Sequence, residues 1–176
     1  VMPLTTQGDV PIHYTLDGSE PTAASPRYTG PVEIGKSARF RATALREGGE
    51  NASYSREFAF SKSTGRPAVL NTKPNDSYTF EGASLLVDGY HSRPVFTSGA
   101  WLGYLDEPLD VTIDMGGEQS YRSVELETLA EKGDWIFPPS SVTVWVSDNG
   151  TDFTEVASVA VPEAKAGDAD GIGRYR

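Results

Sequence analysis

Short stretches of alternating apolar and polar residues are the dominant pattern along this 176-residue chain. Alternation with a period of two is typical of half-buried β-strands, whereas a period of 3.6 would indicate amphipathic helices. No stretch keeps a helical period. Residues 157–166 come nearest, and Pro162 interrupts them. Eighteen Gly and twelve Pro fit short strands joined by frequent turns. The sequence therefore predicts an all-β protein made of β-sandwiches.

The first part of the chain, residues 1–66, predicts one small sandwich of the fibronectin-III or immunoglobulin type. In Arg39–Ala44 the small and aromatic residues share one face and the Arg and Thr residues share the other, as in an antiparallel strand with one solvated face. The Gly-containing segment Glu47–Asn51 predicts the turn into the next strand. The predicted strands are Ile12–Leu16, Val32–Ile34, Ser37–Leu45 and Tyr54–Phe60.

The second part, residues 67–176, follows a small, polar linker over residues 62–67. Ser147-Asp148-Asn149-Gly150 predicts a hairpin turn of type I′, which Asn-Gly favours. Trp145 alternates with the Val residues of its strand, so it faces away from them and is either exposed or covered by a neighbouring module. The predicted strands are Asp110–Gly116, Tyr121–Leu129, Ser141–Val146 and Phe153–Val159.

The string Tyr14-Thr15-Leu16-Asp17-Gly18-Ser19-Glu20-Pro21-Thr22, followed by Ser25, Tyr28 and Pro31, is the most specific motif of the first part. It resembles the signature of the chitobiase/β-hexosaminidase C-terminal domain, which follows the catalytic barrel in many bacterial enzymes of glycoside hydrolase family 20. The resemblance implies an accessory region of a bacterial β-N-acetylhexosaminidase. Such a protein is secreted, periplasmic or bound to the cell surface. The partner implied is an upstream catalytic domain of the same polypeptide.

Several strings of the second part resemble a discoidin-like domain of the coagulation factor 5/8 type C family. They are Val87-Asp88-Gly89, Trp101, Val111–Gly116, Val124-Glu125-Leu126, Pro139–Val142 and Val146–Phe153. The resemblance implies an eight-stranded jelly roll that includes carbohydrate-binding members. Such domains usually continue through two more strands, so we expect this module to be incomplete at its C-terminus. Because the chain begins Val1-Met2-Pro3, we also expect it to be a C-terminal piece of a longer protein.

A formal net charge of −10 narrows the range of partners. Nucleic-acid binding requires clustered Lys and Arg, so we expect no nucleic-acid partner, and we expect no membrane insertion. The charge suits neutral sugars or a hard cation held by carboxylates. The absence of Cys excludes disulfides and thiolate chemistry. No phosphate-binding Gly loop, Cys/His metal cluster or Ser-His-Asp order is present.

Asp106-Glu107 is the motif that most suggests catalysis. Family 20 hexosaminidases use an adjacent Asp-Glu pair, in which the Glu protonates the leaving oxygen and the Asp orients the acetamide of the substrate. Here the pair lies between Gly103-Tyr104-Leu105 and Pro108, in an all-β context. We therefore interpret it as a surface turn and expect no catalytic residues in this chain.

The loop Asp88–Ser92 resembles the discoidin-like loop that binds a structural Ca²⁺. Hard cations need six to eight oxygen ligands, largely carboxylates and backbone carbonyls. Asp88 is the candidate ligand, and an ordinary Asp-Gly turn is the alternative. Asp168-Ala169-Asp170-Gly171 looks like part of an EF-hand loop but lacks its distal Glu, so we interpret it as an acidic loop.

A sugar site requires an aromatic platform surrounded by polar groups that bind hydroxyls. Two long connections carry such residues, and the alternative for each is packing against a neighbouring module. Trp101 is interpreted as a core residue. The predicted ligand-binding residues are Tyr90, His91, Arg93, Tyr104, Trp135 and Phe137.

Three functions therefore compete. The favoured one is a non-catalytic accessory region whose second module binds glycans or N-acetylhexosamine-type sugars. The second is a purely structural spacer that braces the catalytic domain. The third, an independent enzyme, depends on Asp106-Glu107 alone.

Overall fold

The computed structural model describes residues 4–5, 10–46, 48–165 and 167–176. Over these residues the secondary structure consists of nine β-strands and four short 3₁₀ helices, and all strand pairs are antiparallel. No helix of the described part is long and apolar enough to cross a membrane. The prediction of an all-β fold built from antiparallel sheets is therefore confirmed.

The chain divides into two compact units. The first comprises Val1–Ser61 and Gly89–His91, and the second comprises Lys62–Asp88 and Ser92–Arg176. The predicted domain boundary after residue 66 stays a prediction. Val1–Pro3 and Glu47, which contributed to the sequence predictions, lie outside the described residues.

The first unit contains a three-stranded sheet in the order β1-β2-β3. Its strands are β1 (Ile12–Thr15), β2 (Ala38–Ala44) and β3 (Ala52–Phe58). Val32–Ile34, predicted as a strand, is irregular. Pro31 and Gly35 bound that segment, and both residue types weaken a strand, so this prediction is wrong.

Phe40 organises the small core of this sheet. Its side chain is 7% exposed and stacks on Tyr14 with ring centroids 5.8 Å apart, while Tyr54 meets it edge-on at 6.4 Å. Ala42 lies directly opposite both tyrosines in the strand register. Its small side chain leaves the space that the three rings occupy.

The motif Tyr14–Thr22 begins in β1 and continues into a loop that contacts the central strand β2. The carboxylate of Asp17 accepts hydrogen bonds from the backbone N–H and the hydroxyl of Ser19, which lower the pKa of Asp17. Glu20 forms an ion pair with Arg41 and accepts a hydrogen bond from the buried hydroxyl of Thr43 at 3.0 Å. The motif is therefore structural, because its polar residues hold the loop on the sheet.

The second unit contains three two-stranded sheets, in the pairs β4-β5, β6-β9 and β7-β8. The sequence patterns did not predict two of these strands, β4 (Ala68–Leu70) and β9 (Gly171–Tyr175). The others are β5 (Val111–Ile113), β6 (Leu126–Ala130), β7 (Ser141–Val146) and β8 (Thr154–Ala160). The 3₁₀ helices cover Asp76–Tyr78, Gly82–Leu86, Phe96–Ser98 and Lys132–Asp134.

The β7–β8 connection departs from the predicted type I′ turn. That turn requires positive φ at both central residues, and Gly150 has φ 75° whereas Asn149 does not. Instead the side-chain oxygen of Asn149 accepts the backbone N–H groups of Thr151 and Asp152, each at 2.9 Å. The side chain of Asn149 therefore organises a longer loop.

Candidate functional site

The connection from β6 to β7 presents two aromatic rings to solvent. We call residues 131–137 the aromatic loop. Trp135 is 84% exposed and Phe137 is 56% exposed, and their rings meet edge-on with centroids 6.5 Å apart. Large aromatic side chains are normally well buried, so two adjacent exposed rings make this loop the candidate functional site.

The backbone of the aromatic loop is closed by a short ladder. Glu131 and Ile136 exchange two backbone hydrogen bonds, at 3.0 and 3.1 Å. Between them Lys132–Asp134 forms one 3₁₀ turn, whose end is Trp135. Trp135 has φ 61° and ψ 29°, in the left-handed region that bulky residues rarely occupy. The geometry of this turn directs Trp135 outward at a cost in backbone energy.

Contacts with the segment that precedes β9 also hold the aromatic loop in place. The ammonium of Lys132 lies 2.7 Å from both the carbonyl oxygen of Asp168 and Oδ1 of Asp170. Oδ1 of Asp170 also accepts the backbone N–H of Lys132 at 3.1 Å. These hydrogen bonds, the side-chain one first, hold the pKa of Asp170 below its ordinary value. The loop that precedes β9 therefore anchors the aromatic loop.

Of the predicted ligand residues, the structure brings Trp135 and Phe137 together. Arg93 is exposed in the second unit, and its carbonyl oxygen accepts the indole N–H of Trp101 at 2.9 Å. The half-buried Tyr104 donates its hydroxyl to the carbonyl of Thr72 at 3.5 Å. Burial raises the pKa of Tyr104, so the hydroxyl stays protonated at neutral pH.

Tyr90 and His91 belong to the first unit. The guanidinium of Arg56 covers the Tyr90 ring at 3.7 Å from its centroid, and Phe58 meets the same ring edge-on at 4.9 Å. The backbone N–H of Ala59 donates to the carbonyl of Gly89 at 2.7 Å. Tyr90 therefore packs on β3. Its assignment to a sugar site stays a prediction, as does that of His91.

The backbone on either side of Asp88 takes part in hydrogen bonds. The carbonyls on either side of it, those of Val87 and Gly89, both accept backbone N–H groups at 2.7 Å. Across the described part of the chain, no three or more His, Cys, Asp or Glu residues form a group that could hold a metal. Calcium binding by Asp88 stays a prediction.

Asp106 and Glu107 lie in an exposed turn. Asp106 has φ 64°, and the preceding Leu105 is exposed. A general acid of a glycosidase normally lies in a cleft that raises its pKa. The exposed position agrees with the interpretation of this pair as a surface turn.

Four residues in or near the aromatic loop were not predicted as site residues from the sequence: Lys132, Asp170, Thr128 and Tyr175. The sequence analysis interpreted Asp170 as part of an acidic loop. Its contact with Lys132 was not predicted, because the two residues are 38 positions apart in sequence. Thr128 was part of a predicted strand without chemical interest. Its hydroxyl oxygen is buried, and among the described side chains this atom and Oε2 of Glu131 are the buried polar atoms without a hydrogen-bond partner. No local pattern signals such an atom.

Comparison with known proteins concerns the first unit. A protein-family model described as "Fn3 associated" matches residues 2–58, about a third of the chain. A search of curated proteins finds no match. Residues 2–58 are thus similar to a fibronectin-III-associated region. The finer resemblances, to the family 20 accessory domain and to the discoidin-like domain, stay predictions.

Proposed function

We propose that this chain is a non-catalytic accessory region of a secreted bacterial β-N-acetylhexosaminidase of glycoside hydrolase family 20, and that its second, discoidin-like unit binds carbohydrate. The observation that carries the proposal is the pair of exposed rings of Trp135 and Phe137. The apolar face of a pyranose ring stacks on such a platform and leaves the sugar hydroxyls to polar neighbours.

Preorganisation of the loop supports this proposal. A flexible loop would lose conformational entropy when it binds a sugar, and a loop held in advance avoids much of that loss. Here the Glu131–Ile136 ladder and the contact of Lys132 with Asp170 hold the loop. The strained backbone of Trp135 also fits a functional role, because such strain is retained mainly where function requires it.

The fibronectin-III-associated character of the first unit supports the accessory role. In the proposed parent enzyme, an upstream catalytic domain removes terminal N-acetylhexosamine residues, and this region holds the enzyme near its glycan substrate. The predicted ligand residues Tyr90, His91, Arg93 and Tyr104 are then tested separately from the Trp135 platform, since none of them is needed for the stacking argument.

A structural brace is the second candidate, and the β7–β8 sheet favours it. Trp145 is 52% exposed on β7, and Val156 and Phe153 are exposed on or beside β8. An exposed Trp on a sheet indicates an interface. In this case the exposed sheet packs against the catalytic domain of the same polypeptide.

Calorimetric titration of the fragment with N-acetylglucosamine, N-acetylgalactosamine and galactose tests the sugar-binding proposal. We expect binding in the millimolar range or tighter that is lost in Trp135→Ala and weakened in Phe137→Ala. Trp145→Ala is the matched control, since it removes an exposed Trp of the same unit. Binding by none of the three sugars, or binding unaffected by Trp135→Ala, would contradict a sugar site at this loop and favour the brace.

The non-catalytic assignment has its own test. The purified fragment is incubated with an aryl N-acetylhexosaminide, and we expect no release of the aryl group. Turnover that disappears in Glu107→Gln would contradict the assignment.

A further inference from the structure

A cleft of about 460 Å³ lies beside the aromatic loop in the second unit. Its volume falls within the range of small-ligand sites. Strands β6 and β9 and the segment that precedes β9 form its walls. The lining residues with polar or charged side-chain groups are Thr128, Lys132, Asp168, Asp170 and Tyr175. The apolar lining residues include Pro138, Val161 and Ile172.

The cleft is continuous with the aromatic loop. Lys132 lines the cleft, and its carbonyl oxygen accepts the backbone N–H of Trp135 at 3.2 Å. Pro138, which also lines the cleft, directly follows Phe137. Residues of the aromatic loop or directly after it therefore form part of the cleft wall.

Gly173 shapes one wall of the cleft. A Cβ atom on this residue would lie 2.9 Å from the hydroxyl oxygen of Tyr175 and 3.1 Å from Oγ1 of Thr128. Both distances are shorter than normal contacts, so the absence of a side chain lets the two hydroxyls lie close to the backbone of Gly173. Tyr175 brings an aromatic ring to the cleft that Lys132 and Asp170 also line. An aromatic ring beside polar groups is the composition that pyranose rings require.

The charges in the cleft favour a neutral ligand. Lys132 is paired with Asp170, and Asp168 adds a further carboxylate. One ammonium and two carboxylates leave a negative balance, which opposes anionic sugars. Carboxylates and ammonium groups bind sugar hydroxyls by charge-assisted hydrogen bonds.

We propose that this cleft is a second saccharide subsite, so that the second unit recognises a neutral oligosaccharide of at least two rings, one on Trp135 and the next in the cleft. This inference rests on the proposed function of the Trp135 platform. The Tyr175 ring and the Lys132–Asp170 pair are the groups of the cleft that contact the second ring.

The test compares affinities for N-acetylglucosamine and its β-1,4-linked dimer and trimer, measured by calorimetry on the whole fragment. We expect the affinity to rise by about tenfold or more from the single sugar to the trimer. The single sugar reports on the Trp135 platform, so the ratio of the two affinities isolates the cleft. In Tyr175→Leu, which removes the aromatic ring from the lining of the cleft, the ratio falls towards one. Tyr121→Leu, which removes an exposed Tyr of the same unit, is the matched control and keeps the wild-type ratio.

Ala164→Leu provides a second variant, because it adds a large side chain at another lining residue of the cleft. It also lowers the ratio. A single sugar that binds as tightly as the trimer overturns the second subsite and leaves the Trp135 platform standing. A trimer preference that survives both cleft variants overturns it as well. Failure of every sugar to bind overturns both proposals.

Discussion

The ammonium of Lys132 and the carboxylate of Asp170 lie 2.7 Å apart, and the same Oδ1 atom accepts the backbone N–H of Lys132 at 3.1 Å. One carboxylate thus fixes both the side chain and the backbone at the start of the aromatic loop. Because Asp170 immediately precedes β9 and Lys132 follows β6, this contact joins two loops at the same end of the β6-β9 sheet. The orientation of Trp135 depends on it.

This contact predicts a pH dependence. The folded-state pKa of Asp170 is lowered, so its contribution to stability is fully present above the unfolded pKa of about 3.9. That contribution is lost as the pH falls through the folded pKa. We expect Asp170→Asn to lose less stability than the wild type between about pH 6 and pH 3. Thermal unfolding at both pH values measures the difference, with Asp148→Asn, an exposed Asp of the β7–β8 loop, as control. Equal losses in wild type and Asp170→Asn would refute the prediction.

Trp135 predicts an unusual order of variant stabilities. Its φ of 61° strains any residue with a side chain, whereas Gly adopts it freely. The ring is largely exposed, so its removal costs little burial. We expect Trp135→Gly to be more stable than Trp135→Ala by about 1 kcal/mol, measured by urea unfolding. Gly133 provides the control, because the wild type already has Gly there and Gly133→Ala gives the corresponding Ala protein. We expect no such preference for Gly at this position, since Gly133 lacks positive φ and a Cβ atom there would meet open space.

The side chain of Asn149 is expected to stabilise the β7–β8 loop. Its Oδ1 atom accepts the backbone N–H groups of Thr151 and Asp152 and the hydroxyl of Thr151. Asn149→Ala removes this acceptor, and we expect a loss of about 1 kcal/mol because the freed N–H groups are exposed to water. Thr151→Val removes one of these hydrogen bonds and is expected to cost less. Chemical unfolding measures the free energy of unfolding of both variants. A larger loss of stability in Thr151→Val than in Asn149→Ala would contradict the role given to Asn149.

Gly103 predicts a steric effect. A Cβ atom there would lie 2.8 Å from Cβ of Tyr78, and the backbone of Gly103 exchanges hydrogen bonds with Asn75 and Tyr78. The backbone therefore has little freedom to move away. We expect Gly103→Ala to destabilise the second unit by about 1–3 kcal/mol. Thermal unfolding is compared with that of Gly133→Ala, and equal melting temperatures for the two variants would show that the site relaxes.

Local patterns were enough to predict most strands. The predicted strands at residues 12–16, 37–45 and 141–146 agree with β1, β2 and β7 to within one residue at each end. In each, residues of period two form one buried or half-buried face, and this signal is contained in the strand itself. The three-residue strand β4 and the Gly-containing β9 were missed, because short or Gly-containing strands depend on their partners for stability.

The candidate site was predictable in part. Trp135 and Phe137 stood out because two large aromatic residues lie in a connection between strands. The remaining residues of the proposed site, such as Thr128, Lys132 and Asp170, lie in separate segments and have no shared sequence pattern. The pairing of β6 with β9 brings them together.

The sequence alone determined the all-β class, the alternation of half-buried and exposed positions along β7 and the aromatic character of the loop, because each of these depends on residues close together in the chain. The tertiary structure decided which side chains surround that loop. It placed Asp170 against Lys132, opened Gly173 to the hydroxyls of Thr128 and Tyr175, and left the ring of Trp135 in solvent. These relationships join residues about 40 positions apart, and hydrogen bonds between strands, which no local pattern encodes, establish them.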